Sequence, residues 1–176
     1  GRLPDFPIFV DSPLSVNATE VFRLHPECFN RDIYTFLREK ENPFGMDNLT
    51  YIRKASESIK LNTLEGPAII ISSSGMCEAG RIRHHLKNNI SDPNDLILFV
   101  GYCAYNTLGA VIRAGIDPVY IFGEPHEVKA RVASFDGFSG HADRKELGRY
   151  VESLTGDITN IYVVHGEEES SLTFAE

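Results

Sequence analysis

Gly66-Pro67-Ala68-Ile69-Ile70-Ile71-Ser72-Ser73-Ser74-Gly75 is the stretch that decides the fold. Gly66-Pro67 punctuates the chain, and the run at 68–72 is apolar at successive positions instead of alternating with polar ones. Such a run predicts a strand covered on both faces, the condition of a strand in a parallel sheet flanked by helices. Directly behind it, Ser73-Ser74-Gly75 places hydroxyls and a glycine at the strand's carboxyl end, where sheets of this class bind ligands.

Working outward, a second run of the same kind lies at 96–100, and a third, at 7–11, ends in Asp11-Ser12-Pro13. There Ser12 suits a helix cap and Pro13 the first helical position. Helical spacing is expected at 13–25, at 30–40, through Ser58, from just after Gly75 to about Ile90, and at 107–114, with a short strand near 49–52. Strands alternating with helices predict an α/β fold with a parallel, doubly wound sheet. From Asp117 the style changes: Val119 to Phe122 and Val128 to Phe135 read as an antiparallel pair turning at Gly123-Glu124-Pro125. A domain boundary is expected there, giving one domain over 1–116 and another over 117–176. The second would carry a loop at 135–142, a helix at 143–154, and a strand at 160–164 that runs into His165-Gly166-Glu167.

The chain has 176 residues, 42% of them hydrophobic, and a net charge of −8, with a pI near 5.2. That acidity excludes a protein that coats nucleic acid through bulk positive charge, but not one that holds phosphates with focused donors. No apolar run reaches the roughly 18 residues of a membrane span, and Gly1-Arg2-Leu3-Pro4 does not read as a signal peptide. The expectation is a soluble, cytoplasmic protein without a membrane partner. Three cysteines, Cys28, Cys77 and Cys103, show no Cys-x-x-Cys spacing and suit reduced packing residues.

Several residues carry candidate chemistry. His165 follows a strand and precedes a glycine, so its ring could emerge at a sheet edge as a metal ligand or an acid. His141 lies in the glycine-flanked loop Gly137-Phe138-Ser139-Gly140-His141, with Ser139 and Asp143 as phosphate donor and orienting partner. Ser74-Gly75-Met76, read as a helix start, suits an anion, with Ser73 just before it. Asp11 and Ser12 end a strand at the same edge. Each has an ordinary structural reading as a hydrogen-bonded histidine or a helix cap. Arg81, Arg83, His84, His85 and Lys87 form the densest basic cluster, which reads as a solvated helix face. His84 and His85 point about 100° apart on that helix and cannot share a metal.

Taken in order, six segments resemble the β-CASP subgroup of metallo-β-lactamase-fold nucleases, which includes the cleavage and polyadenylation endonuclease and ribonuclease J. They are Pro7-Ile-Phe-Val-Asp-Ser-Pro13, Ile70-Ile-Ser-Ser-Ser-Gly-Met-Cys77, Gly80-Arg81-Ile82, Gly101-Tyr-Cys-Ala-Tyr-Asn-Thr-Leu-Gly109, Phe138-Ser-Gly-His-Ala-Asp143 and Val163-Val-His-Gly-Glu167. The resemblance implies that 1–116 is the β-CASP cap and 117–176 the C-terminal strands and helices of a metallo-β-lactamase domain. It implies that His141 protonates the leaving oxygen and that His165 ligates one of two zinc ions. Ser139, the Ser73-Ser74-Gly75 loop, Thr107, Asp11 and Ser12 would hold single-stranded RNA. The implied reaction is phosphodiester hydrolysis by a metal-held hydroxide.

Two departures qualify that reading. The family's main metal motif, His-x-His-x-Asp-His, is absent, and one histidine cannot hold two zincs. The chain alone is therefore expected to bind no zinc stably and to leave RNA uncut. Relatives also often carry an arginine after Thr-Leu-Gly, where this chain has Ala110 and, a turn later, Arg113. The other readings are a non-catalytic RNA-binding or assembly module of the same fold, and a nucleotide-binding α/β domain. The absence of Gly-x-Gly-x-x-Gly or a phosphate-loop lysine weakens the latter. DNA as substrate and a homo-oligomeric state are both compatible with the pattern.

Overall fold

The computed structural model of the protein describes residues 6–39, 45, 47–135, 137–138 and 140–175. The chain divides into two compact units, Gly1–Phe138 and Ser139–Glu176.

In the first unit, strand β1 (Ile8–Asp11) leads into helix α1 (Pro13–Leu24), and α2 (Arg31–Glu39), β2 (Leu49–Tyr51), α3 (Ala55–Leu61) and β3 (Ile69–Ser72) follow. Helix α1 starts as the sequence dictates. Ser12 is extended, its hydroxyl accepts from the Ser15 amide, and Pro13 occupies the first turn, where no N–H is needed. The three strands are parallel in the order β2-β1-β3. The register sets Val10 against both Tyr51 and Ile71, and Asp11 against Ser72. Their carboxyl ends therefore finish level, with Asp11-Ser12 beside Ser72-Ser73.

Next come α4 (Ile82–Asn89), β4 (Leu96–Phe99), α5 (Leu108–Arg113), β5 (Val119–Ile121), β6 (Glu124–His126) and β7 (Arg131–Ser134). Ile90, Ile112 and Ile121 are fully buried in one cluster with Val119, Leu86 and Phe99. Each such side chain contributes about 1.5–3 kcal/mol by leaving water.

Four expectations need correction. The antiparallel pair is β5 with β6, joined by a two-residue turn at Phe122-Gly123. Both turn residues have positive φ, 53° and 82°, as a type I′ hairpin turn requires. β7 instead pairs in parallel with β4, Leu96 opposite Arg131. The strand 68–72 is not covered on both faces: Ile71 is 52% exposed and Leu98 in β4 is 53% exposed. In both strands exposed side chains alternate with less exposed ones. Finally, helix α4 begins at Ile82, so Ser74 and Gly75 lie in a turn well before it and receive no help from its dipole.

The second unit contains α6 (Arg144–Glu152) and α7 (Glu168–Ala175). Asp143 caps α6 by accepting from the Glu146 amide, and Glu146 closes a capping box by accepting from the Asp143 amide. The expected strand at 160–164 forms no hydrogen-bonded ladder here. A strand needs a neighbour to satisfy its backbone, and Tyr162 and Val164 in this segment are exposed. Among the described residues of this unit none is buried.

Candidate functional site

The centre of the carboxyl edge is Asp11, whose side chain is 0% exposed. A carboxylate out of water needs compensation from every side, and it receives it. Ser58 Oγ of α3 donates to Oδ2, His85 Nε2 lies 2.7 Å from the same oxygen, and Arg81 Nη1 donates to Oδ1. The ring of His85 is held from behind, its Nδ1 2.8 Å from Asn62 Oδ1. Arg81 also donates to the carbonyls of Ile52, at 3.2 Å, and Arg53, at 2.8 Å, just beyond β2. Burial pushes the Asp11 carboxyl upward, but the hydrogen bonds from Ser58, His85 and Arg81, with the charge of Arg81, hold it below its ordinary value. One buried anion thus ties together the ends of β1 and β2 and the helices α3 and α4.

Sequence reasoning placed Asp11 against the ligand and read Arg81 and His85 as a solvated basic face. Arg81 and His85 instead turn inward, and His84 packs against Phe122, with ring centres 4.8 Å apart. One signal could have found them. An aspartate ending a buried strand requires cationic partners, and Arg81 and His85, four residues apart, share one helix face.

Above this base sit the serines. Ser12 Oγ accepts from the Ser15 amide at 3.3 Å and the Ser15 hydroxyl at 3.0 Å, so its own proton points to Ser73 Oγ, 2.6 Å away. Ser74 Oγ is buried and, among the described residues, unpartnered, a condition that costs about 1–3 kcal/mol unless something fills it. The loop is held by Ser74 N–H donating to Ala79 O at 3.1 Å and Cys77 N–H donating to Ser74 O at 3.0 Å. Burial, then the neighbouring Cys103 and Glu78, push the Cys77 thiol up to about 12, so it packs without reacting.

Gly80 closes this loop with φ of +84°, and a Cβ there would overlap the Ser73 carbonyl oxygen. Gly66 has a similar φ of +86° but open space around it. Gly66→Ala should therefore cost about 1–2 kcal/mol of unfolding free energy, from the left-handed backbone alone. Gly80→Ala should cost more, about 2–4 kcal/mol. Urea denaturation of the two variants checks this, and equal losses would remove the close approach from the account.

The loop after β4 completes the wall. Thr107 caps α5, accepting from the Ala110 amide at 3.3 Å and donating to Ala104 O at 2.7 Å. Gly109 N–H donates to Met76 O at 2.9 Å. Leu108 N–H donates to Glu78 Oε1 at 2.5 Å, so a carboxylate of the chain itself already occupies the start of α5. Arg113 donates to Gly101 O at 3.0 Å.

The histidines of the second unit are exposed: His141 lies two residues before the α6 cap, and His165 has φ of +64°. Ser139 lies outside the described residues. Among the described residues no three His, Cys, Asp or Glu side chains come together as a metal site. The described residues do not by themselves fit a zinc ion.

Comparison with known proteins places the chain in a family. The model of the Beta-Casp domain matches residues 1–112, and that of the Zn-dependent metallo-hydrolase RNA specificity domain matches residues 125–176. The chain is 36% identical over 175 residues to "Ribonuclease TTHA0252" of Thermus thermophilus, covering 99% of this chain and 40% of that protein. It is 34% identical over 175 residues to the "RNase J-like protein" of Methanocaldococcus jannaschii, covering 99% and 39%. To "Transcription termination factor FttA" of the same organism it is 31% identical over 176 residues, covering 97% and 28%. The chain spans 40% or less of the length of these relatives.

Proposed function

This chain belongs to the Beta-Casp domain family, and from that membership we propose that it is the RNA-gripping part of a longer zinc-dependent ribonuclease. The observation that carries the reading is the serine loop at the carboxyl edge. Ser74 has a buried hydroxyl with no partner among the described residues, Ser73 bonds Ser12 beside it, and Ser72, which leads into the loop, donates to the Asp11 carbonyl at 3.0 Å. Preplaced neutral donors of this kind bind a phosphodiester without bulk positive charge, as an acidic chain of net charge −8 requires.

In this reading Ser73, Ser74, Gly75 and Ser139 hold the backbone of single-stranded RNA in the cytoplasm, while Ser12 orients Ser73 and Thr107 fixes the start of α5. Asp11, being buried, serves by positioning Ser12 and Ser73. His141 gives its proton to the leaving oxygen, a role its exposed ring permits. His165 is one ligand of a two-zinc centre whose remaining ligands come from elsewhere in the longer protein; the Zn-dependent family match supports this. Domains over 1–116 and 117–176 remain the proposed division, with the catalytic histidines in the second.

The test is a paired assay on one labelled single-stranded RNA. The longer protein should cleave it, and this chain alone should bind it and leave it intact. Binding without cleavage by the longer protein would favour a non-catalytic module, and failure of the chain to bind would overturn the reading.

A further inference from the structure

The serine loop accounts for phosphates but for nothing that a nucleobase would touch. The loop between β4 and α5 offers that. Tyr102 is 62% exposed and Tyr105 is 77% exposed, while Cys103 between them is buried. The loop is anchored on both sides of the rings: Gly101 O by Arg113 at 3.0 Å, Cys103 Sγ 3.5 Å from Gly75 O, and Ala104 O by the Thr107 hydroxyl at 2.7 Å. Two of its ties run to the serine loop itself, through Gly75 O and through Met76 O, which accepts from Gly109 N–H at 2.9 Å. The tyrosines and the serines therefore stand on one joined wall.

Among the described residues, the other exposed tyrosines lie elsewhere. Tyr120 sits on the β5–β6 hairpin, and Tyr150 and Tyr162 belong to the second unit.

We propose that Tyr105, with Tyr102 beside it, is a stacking platform for the bases of the RNA strand whose phosphates the serine loop holds. The inference rests on the RNA reading above and adds a base subsite to it. Stacking needs only a π face, tolerates any base, and loses little entropy when the ring stands on an anchored loop. It also answers the charge problem. A chain of net charge −8 gains little from counterion release, so uncharged contacts must supply more of its affinity.

The experiment measures fluorescence anisotropy of a labelled oligouridylate and of an abasic ribose-phosphate oligomer of equal length, each titrated with the whole chain. Having seven tyrosines and no tryptophan, the protein also reports stacking directly as quenching of tyrosine emission. The wild type should bind the oligouridylate about tenfold or more tighter than the abasic oligomer, with quenching. Tyr105→Ala should remove most of that preference without changing abasic binding, and Tyr105→Phe should keep it. Tyr105 and Tyr102 alanine variants that bind oligouridylate like the wild type would overturn the platform. So would equal wild-type binding of the two oligomers, with the RNA reading left standing. Binding of neither oligomer would remove the RNA reading and the platform with it.

Discussion

Arg81→Ala is expected to lose about 3–5 kcal/mol of unfolding free energy, because it leaves a fully buried carboxylate without its cation. The loss is larger than that of a surface ion pair, since Asp11 is 0% exposed and has no water to fall back on. The two carbonyls beyond β2 that Arg81 binds, those of Ile52 and Arg53, lose their partner in the same step. For a domain of this size such a loss lowers the melting temperature by on the order of 10 °C. Combining it with Asp11→Asn should cost less than the sum of the two single changes, because the second removes the charge that the first leaves stranded.

The same pair sets an acid limb. Asp11 has a folded value held below that of the unfolded chain, so the wild type has its full contribution above the ordinary aspartate value of about 3.9 and loses it as pH falls through the depressed folded value. In Arg81→Ala the acid limb should be shallower. Urea midpoints across that pH range check the sign, and parallel limbs in the two proteins would contradict it.

His141→Ala in the longer protein should slow turnover by about 100- to 10,000-fold, the range for losing a positioned proton donor. RNA affinity should stay within a few-fold, because the proposed donors Ser73 and Ser74 belong to the first unit and survive the change. A loss confined to turnover marks a group acting in the transition state. Single-turnover rates at saturating protein make this separation. An unchanged rate would remove the acid role, and a matched loss of affinity would make His141 a binding residue.

Much of the fold was legible. The apolar runs at 68–72 and 96–100 became β3 and β4, and Ser12-Pro13 and Asp143 capped their helices as their chemistry requires. The pairing of strands was less so: β7 lies beside β4, more than thirty residues earlier in the chain, and no local pattern reveals such a neighbour. The segment at 160–164 has the composition of a strand but pairs with no strand among the described residues, and composition alone cannot supply a partner. Helix α7 was missed because Glu168-Glu169-Ser170-Ser171 carries no apolar periodicity.

The position of the serines and Asp11 at the carboxyl edge was legible from their place behind apolar strands. The roles within that group were not, because they follow from burial. Asp11 sinks beneath Ser12, and Arg81 and His85 leave the basic face to meet it. The tyrosines of the β4–α5 loop lay within a recognised segment, yet only their exposure and the ties to Gly75 and Met76 separate them from packing residues.

The most direct test of the central claim, that the carboxyl edge grips an RNA backbone, is a map of amide chemical-shift changes as this chain is titrated with a short oligouridylate. The largest shifts are expected at Ser12 and at Ser73 through Gly75. Shifts confined to the outward face of α4 around His84 and Lys87, with the serine loop silent, would contradict it.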